Sequence, residues 1–201
     1  MNKQRFKHNQ VIYHQGEKRP GVFLIVTGHI KLTVFNASGD EFIKSILPQN
    51  EYFGPGLSFE NESSCEETAM AKGDTQLICF DDLKMREPIE QYSSIIAEIA
   101  VSMANQKRFQ EKRLERMHLG DMHCRVAGMI QELAHHYGSS CQHGHAIDFR
   151  MTQGELANLV GASRQLVSSI LNEFKGLGLI SYTRTYICLD DVKGLSQYIK
   201  Y

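Results

Sequence analysis

The chain contains 201 residues, of which 42% are hydrophobic and 22% charged, and its formal net charge is −1 at pH 7. This composition is ordinary for a globular protein, and the length allows one large or two modest domains. Residues 1–10 lack the apolar segment of a signal peptide, and no apolar run reaches membrane length. We therefore expect a cytoplasmic protein that does not contact a membrane.

The first 87 residues predict a β-domain. Short runs rich in Val, Ile, Phe and Thr alternate with segments of turn residues such as QGEKRPG, TGH, NASGD and LPQN. The predicted strands are 11–14, 22–26, 30–35, 41–47 and 76–80. Several strands at close spacing predict an all-β roll or barrel. A β-domain without any ligand remains the alternative interpretation.

Residues 88–118 predict one long helix. Seven of its residues are spaced alternately three and four apart, which is the pattern of a heptad seam. A seam on a helix between two domains predicts a two-helix dimer interface, and the alternative is a linker helix that packs on its own domain. The predicted interface residues are Ile96, Ile99, Met103, Gln106, Gln110, Arg113 and Met117.

Residues 152–172 predict two short helices joined by a tight turn. Thr152 followed three residues later by Glu155 is a capping box at the start of the first helix, whose apolar face includes Leu156. Gly161 suits a turn that needs a left-handed backbone, and Ser163 suits the N-cap of the second helix. The predicted inward residues of the second helix are Leu166, Val167, Ile170 and Leu171.

The outward residues of the second helix are candidates for contacts with DNA bases. A helix-turn-helix places the N-terminal end of its second helix in the major groove. At that end the predicted outward residues are Arg164, Gln165, Ser168 and Ser169. An ordinary pair of packed helices in an α-helical domain is the alternative.

A strand pair after the second helix favours the DNA-binding interpretation. Residues 179–182 and 185–189 predict the hairpin of a winged helix, with Arg184 near its tip in a position to contact a phosphate. A strand at 147–150 could pair with this hairpin. Residues 148–201 carry six basic and five acidic side chains, so the electrostatic attraction to phosphates should be modest.

The order of these elements resembles the Crp/Fnr family of transcription regulators over nearly the whole chain. The similar segments are 13–34, with glycines at 16 and 28, FGPGLSF at 53–59, LGDMHCRVAGMIQELA at 119–134, and the helix-turn-helix. The resemblance implies an α+β fold with a β-roll at 1–87, a dimerisation helix at 88–118 and a winged helix-turn-helix at 119–201. It further implies a homodimer that binds a two-fold symmetric site on double-stranded DNA and contacts RNA polymerase, an activator rather than a repressor.

The resemblance does not extend to the family's cyclic-AMP site. Cyclic-AMP-binding relatives have a glutamate where this chain has Pro55, and an Arg-Ser pair where it has Cys65-Glu66. Glu66 and Glu67 would repel a cyclic phosphate, so we expect no cyclic AMP binding and no cofactor. An iron–sulfur cluster is also not expected, because the N-terminal cysteine cluster of oxygen-sensing relatives is missing. The effector is either unknown or not needed.

The residues that would contact DNA also differ from the commonest family pattern. Arg164 matches a guanine-contacting position, Gln165 stands where a glutamate is usual, and Ser169 replaces a second arginine. We therefore expect a site that differs from the TGTGA half-site. Thr152, Gln153 and Ser163 are the expected phosphate contacts. Activation in the family would rotate the DNA-binding domains about residues 119–121.

Two sensing alternatives remain open. A redox sensor could use one of the chain's five cysteines, with Cys65, Cys79 and Cys124 as the candidates. A metal sensor could use the His-rich segment that we predict to be a solvated loop, with the candidate ligands His135, His136, Cys141, His143 and His145. No spacing there matches a structural zinc site, so no metal is predicted. No motif of an enzyme is present in the sequence.

Overall fold

The computed structural model describes residues 2–18, 21–55, 64–80, 93–141, 144–147, 149–183 and 186–199. The chain divides into two compact units, Met1–Arg108 and Phe109–Tyr201. This division lies inside the long helix, and the predicted domain boundaries at 87/88 and 118/119 stay predictions. Among the described residues, no helix is long and apolar enough to cross a membrane.

The first unit is built on a six-stranded antiparallel sheet. Its strands are β1 (Asn2–Phe6), β2 (Val11–Tyr13), β3 (Val22–Phe35), β4 (Glu41–Leu47), β5 (Tyr52–Phe53) and β6 (Thr68–Phe80). The order is β1-β6-β3-β4, with β2 paired to β6 and β5 paired to β3. The predicted all-β roll is confirmed, and its core combines aliphatic side chains with aromatic rings. Those of Phe23 and Phe53 stack at 5.2 Å, and that of Tyr13 lies 5.9 Å from Phe23.

The predicted turn at Thr27-Gly28-His29 is wrong. These residues lie inside β3, which joins the two runs predicted at 22–26 and 30–35 into one strand with register shifts on either side of Thr27. Gly28 has φ +84°, and a Cβ there would lie 2.7 Å from the carbonyl oxygen of Asp74. A bulge that only glycine allows, rather than a turn, explains this segment.

Three strand regions of the first unit were not predicted from the sequence. β1 and the first eight residues of β6 consist mainly of polar and small residues, and β5 has only two residues. β1 pairs with the second half of β6 from Asn2 opposite Cys79 to Phe6 opposite Thr75. These segments are strands because they pair with strands that are distant in the sequence, and local residue patterns do not reveal such pairing.

The long helix α1 runs from Ser93 to Leu119, and the residues of the predicted helix before it, 88–92, lie outside the described part. Ile99 packs among Val22, Tyr52 and Phe80 in the first unit. Polar bonds add to this contact, because Gln106 donates to the Tyr52 carbonyl at 2.9 Å and the Tyr52 hydroxyl donates to Glu98 at 2.6 Å. Burial and Glu98 raise the pKa of Tyr52 above its usual range.

Three residues of the predicted heptad seam make contacts within the chain. Ile99, Gln106 and Arg113 face their own unit, where Ile99 and Arg113 are buried and Gln106 is half-buried. In contrast, Ile96, Met103 and Met117 expose 38%, 50% and 38% of their surface. One half of the predicted seam therefore packs within the chain, while the other half is available to a partner.

The second unit contains the end of α1, four further helices and a second sheet. Its helices are α2 (Met122–Tyr137), α3 (Gln153–Val160), α4 (Arg164–Gly176) and α5 (Val192–Ser196). Its strands are β7 (Gly138–Cys141), β8 (Gly144–Ile147), β9 (Ile180–Tyr182) and β10 (Ile187–Leu189), in the antiparallel order β7-β8-β10-β9. The fold as a whole is the predicted α+β arrangement with a C-terminal winged helix-turn-helix.

The His-rich segment is not the solvated loop that we predicted. Gly138–Cys141 pairs with Gly144–Ile147 to form a hairpin, while His135 and His136 lie in the last turn of α2. The candidate ligand His143 and the side chains of Cys141 and His145 lie outside the described part. Among the described residues, no three side chains form a group that could hold a metal.

The strand predicted at 147–150 is found three residues earlier, at Gly144–Ile147. Only Ile147 belongs to β8, residue 148 lies outside the described part, and Phe149 and Arg150 follow without strand structure. The predicted pairing with the wing is confirmed, because β8 pairs with β10 from Ile147 opposite Ile187 to His145 opposite Leu189. The wing is therefore part of a four-stranded sheet.

A buried ion pair attaches the end of α1 to α2. Arg116 donates to Glu132 at 2.6 Å, and their side chains are 7% and 5% exposed. Lys112 binds the other carboxylate oxygen of Glu132 at 2.9 Å. Gly128 provides the necessary space, because a Cβ there would collide with Cδ of Arg116.

Removing Glu132 should destabilise the second unit strongly. In Glu132→Ala, Arg116 stays buried without its counter-charge, which costs about 3–5 kcal/mol in the free energy of unfolding. Chemical denaturation followed by circular dichroism measures this loss. The matched control is Glu173→Ala, which breaks the more exposed pair with His123 and should cost at most about 1 kcal/mol. Similar losses in the two variants would contradict a special role for the buried pair.

Candidate nucleic-acid interface

The start of α3 is set by the predicted capping box. The Thr152 hydroxyl accepts from the Glu155 amide at 3.1 Å, and the Glu155 carboxylate accepts from the Thr152 amide at 2.9 Å. Both bonds satisfy backbone groups that a helix start leaves without partners. The reciprocal pair holds Thr152 and Gln153 at the exposed N-terminal end of the helix.

Gly161 forms the turn between α3 and α4. Its backbone has φ +69° and ψ +45°, the left-handed conformation predicted from the sequence, and it ends α3. The Ala162 amide donates to the Ala157 carbonyl at 2.9 Å, which closes the helix end. The direction in which α4 leaves α3 is therefore determined by a conformation that glycine adopts without strain.

α4 presents its N-terminal end to solvent. The Ser163 hydroxyl accepts from the Leu166 amide at 3.2 Å and caps the helix, as predicted. Arg164, Gln165 and Ser169 are exposed and Ser168 is half-buried. All four predicted base-contacting side chains are thus on the outward side of the first two turns, which is compatible with contacts to base edges.

The predicted inward orientation of Leu166 is wrong, because its side chain is 42% exposed. The buried face of α4 consists of Val167, Ile170, Leu171 and Phe174. Successive residues are rotated by about 100° in an α-helix, so Leu166 lies at the border of a face centred on these four residues. The spacing could have revealed this, since Leu166 lies about 90° from the centre of that face and is the farthest from it of the predicted inward residues.

Two adjoining grooves connect the start of α3, the start of α4 and the wing. The larger groove is lined by Arg150, Met151, Thr152, Gln153, Gly154, Arg164, Tyr182 and Thr183. The smaller groove is lined by Gln153, Ser163, Arg164, Gln165 and Ser168. Because Gln153 and Arg164 line both, the predicted phosphate-contacting and base-contacting residues form one continuous surface.

The residues of the larger groove that were not identified from the sequence are Arg150, Met151, Gly154, Tyr182 and Thr183. Arg150 could have been found as the cation two residues before Thr152, near a helix start that attracts anions. Arg184, the predicted phosphate contact in the wing, lies outside the described residues.

The wing is attached to α4 by its own side chains. The Tyr182 hydroxyl donates to Oδ1 of Asn172 at 2.8 Å, and the Lys175 ammonium lies 5.5 Å from the centre of the Tyr182 ring. The Thr183 amide donates to the Tyr186 carbonyl at 3.0 Å across the hairpin. These contacts hold the wing beside the exposed side of α4, so that both elements line the same groove.

The described residues of the roll do not fit a cyclic nucleotide phosphate. Cys65 is buried, and its backbone exchanges hydrogen bonds with Gly16 and Glu17. Lys44 lies 2.5 Å from Glu67 and 3.8 Å from Glu66, so two carboxylates already compensate its charge. An anionic phosphate brought to this place would meet net negative charge. Residues 56–63, which include part of the segment similar to the family, lie outside the described part.

Two of the three candidate redox cysteines lack the exposure that is expected of a redox sensor. Cys65 and Cys124 are buried, and Cys79 is half-buried. Burial raises the pKa of the Cys124 thiol, with Asp121 adding to the effect. A raised pKa favours the thiol over the reactive thiolate, so the structure offers no support for the redox alternative at this residue.

Comparison with known proteins assigns both parts of the chain. A family model described as a cyclic nucleotide-binding domain matches residues 3–92, and a Crp-like helix-turn-helix domain matches residues 124–198. The cAMP-activated global transcriptional regulator Vfr of Pseudomonas aeruginosa is 24% identical over 182 residues, which cover 89% of this chain and 85% of Vfr. The anaerobic regulatory protein of Haemophilus influenzae is 24% identical over 201 residues, covering 96% of this chain and 74% of that protein.

The fold is also similar to solved structures. FixK2 from Bradyrhizobium japonicum superposes with a TM-score of 0.82 at 17% identity, over 100% of this chain and 98% of FixK2. A CRP-family transcriptional regulator from Thermus thermophilus has a TM-score of 0.81 at 19% identity, over 98% of this chain and 96% of that protein. At these identities the similarity establishes the fold.

Replacing the turn glycine should destabilise the helix-turn-helix. Gly161→Ala puts a side chain on a left-handed residue, which costs about 1–2 kcal/mol in the free energy of unfolding. The matched control is Gly176→Ala in the last turn of α4, where the backbone is not left-handed and no atom lies within 4 Å of the added Cβ. That control should be neutral or stabilising by up to about 1 kcal/mol. Thermal unfolding compares both, and a neutral Gly161→Ala would contradict the assigned role of this turn.

Proposed function

We propose that this chain, which belongs to the Crp/Fnr family of DNA-binding transcription regulators, acts as a homodimer that binds a two-fold symmetric DNA site. The observation that supports this proposal best is the continuous surface formed by the starts of α3 and α4 and by the wing. Crp-like domains of this type bind DNA, and this surface carries the side chains suited to that contact. Members of the family are transcription regulators rather than enzymes, and we propose no catalytic activity.

Phosphate contacts would position the protein on the duplex. Thr152 and Gln153 at the start of α3, and Ser163 at the start of α4, offer hydroxyl and amide groups beside helix N-termini, which attract phosphates. Arg150 adds a charge on the same groove. With Arg184 from the wing, these residues form the proposed set of contacts to the DNA backbone.

Base contacts would come from the first two turns of α4. The Arg164 guanidinium matches the two acceptors of guanine, and the Gln165 amide matches the donor and acceptor of adenine. Ser168 and Ser169 are too short to replace the second arginine that is common in the family. The proposed site therefore differs from the TGTGA half-site in the bases next to the guanine.

The dimer would form along the exposed stripe of α1. The exposed heptad positions Ile96 and Met103 continue through Leu114 and Met117, with Leu114 56% exposed. With Ala100, Lys107 and the half-buried Gln110, these residues recur alternately four and three apart, as a two-helix seam requires. The proposed seam thus keeps the predicted positions 96, 103, 110 and 117 and replaces 99, 106 and 113 by 100, 107 and 114.

The regulatory input differs from that of a cyclic-AMP-activated relative. Vfr is described as cAMP-activated, but Pro55 and the carboxylates of Glu66 and Glu67 make that ligand unsuitable here. We propose either constitutive DNA binding or a small effector of another class. An activator role, a contact with RNA polymerase and a cytoplasmic location remain part of the proposal because family members share them.

Selection from randomised duplex DNA tests the DNA function directly. With purified protein and no added ligand, we expect enrichment of a two-fold symmetric sequence without a TGTGA half-site. Arg164→Ala should lower affinity for that sequence at least about tenfold, because it removes a guanine contact. The matched control is Arg5→Ala in the exposed part of β1, which makes the same charge change outside the proposed surface. Equal affinities of the two variants, or enrichment of TGTGA, would contradict the proposal.

A charge on the exposed stripe tests the dimer. Met103→Asp should convert the dimer to a monomer, because the seam would bury a carboxylate against its symmetry copy. Sedimentation equilibrium measures the association state. The control is Asn105→Asp, which adds the same charge at an exposed position on the opposite side of α1. A dimer that survives Met103→Asp would show that another surface mediates association.

A further inference from the structure

We infer that Leu166 determines DNA specificity by contacting the C5-methyl group of a thymine in the major groove. This inference rests on the proposed function, because it assigns a partner to one side chain of the same surface. Leu166 is 42% exposed and occupies the first turn of α4, directly after Arg164 and Gln165. It is an apolar side chain at the end of the helix that would enter the major groove.

The position of Leu166 is well defined. Its amide donates to the Ser163 hydroxyl at 3.2 Å, so it lies in the capped first turn. Ser169, one turn further on, is exposed next to it on the helix surface, and Gln165 is exposed about 100° around the helix. Residues at the N-terminal end of a recognition helix contact base edges. Leu166 therefore lies at the edge of the surface that the proposed DNA site would cover.

The chemistry of the major groove leaves one partner for this side chain. A leucine has no hydrogen-bonding group, so it cannot bind a phosphate oxygen or the polar edge of a base. Thymine alone presents a methyl group in the major groove of unmodified DNA, and apolar side chains recognise it by contact. Gln165 beside it suits adenine, so the two residues together favour neighbouring A·T pairs.

The hydrophobic core does not need Leu166. Val167, Ile170, Leu171 and Phe174 fill the inward side of α4, and each is at most 2% exposed. On the helix surface Leu166 borders Ser169 and lies about 160° around the helix from Arg164 and Ser168. A single exposed leucine is common on protein surfaces, but this one lies at the N-terminal end of the helix that would enter the major groove. Its removal should leave the fold intact, which makes it suitable for a binding test.

The decisive experiment replaces thymine by deoxyuridine in the selected DNA site, one position per half-site at a time. Deoxyuridine retains the base pair and lacks only the methyl group. At one thymine position, the wild-type protein should bind the uracil site about fourfold more weakly per half-site, or about 15-fold for the symmetric pair. This corresponds to the ~0.8 kcal/mol gained by burying one methyl group.

Two variants assign the effect to Leu166. Leu166→Ala should bind the thymine and uracil sites equally and should show the circular dichroism spectrum of the wild type. The matched control is Leu177→Ala, which removes a 57% exposed leucine at the opposite end of α4. That variant should retain the full preference for thymine.

The outcomes separate this inference from the proposed function. If the wild type binds thymine and uracil sites equally at every position, or if the selected half-site contains no thymine, the role of Leu166 is overturned while DNA binding stands. A Leu166→Ala variant that keeps the thymine preference would overturn it as well. Failure to enrich any sequence would instead overturn the proposed function and, with it, this inference.

Discussion

The ion pair between Arg116 and Glu132 is the constraint on which the second unit depends. Both side chains are buried, so each charge needs the other to compensate for the lost hydration. Arg116 lies near the end of α1 and Glu132 in the middle of α2, while α3 and α4 both pack against α2. A direct consequence is that the last turns of α1 and the helix-turn-helix belong to the same structural unit.

A second polar contact holds the first half of α1 to the roll. The Glu51 carboxylate accepts from Ser102 and Gln106, and the Tyr52 backbone binds the same two side chains. One helix thus uses its Ser, Gln and Arg residues for hydrogen bonds within the chain. In a heptad pattern, such Ser, Gln and Arg residues look like polar positions of a dimer seam. The predicted interface therefore included side chains that make contacts within their own chain.

This chain keeps the fold of the Crp/Fnr family, but the residues that define the family's cyclic-AMP site are replaced. The interior of the roll is packed with aliphatic and aromatic side chains, and Lys44 is neutralised by Glu66 and Glu67. On the proposed DNA-binding side, Ser169 stands where an arginine is common, and Leu166 is an exposed apolar side chain. Relatives that share the fold at 24% identity are therefore a guide to the type of function, and the particular side chains determine the ligand and the DNA sequence.

The helix-turn-helix could be predicted from the sequence to within a few residues. Thr152, Glu155, Gly161 and Ser163 act through bonds and backbone conformations that involve only neighbours three or four residues away, so local pattern carried the information. The order of roll, helix and winged domain followed from the change of pattern along the chain.

Only the tertiary structure decided which surfaces face solvent and which distant segments pair. The first half of β6 exists because remote strands supply its hydrogen-bond partners, and the hairpin at 138–147 is joined to the remote strand β10 through β8. The positions that form the exposed stripe on α1, and the exposure of Leu166, depend on which side chains pack beside those helices. The sequence alone determined the local caps and turns, whose causes are local, and the fold decided burial, because burial is a property of the neighbours that folding brings together.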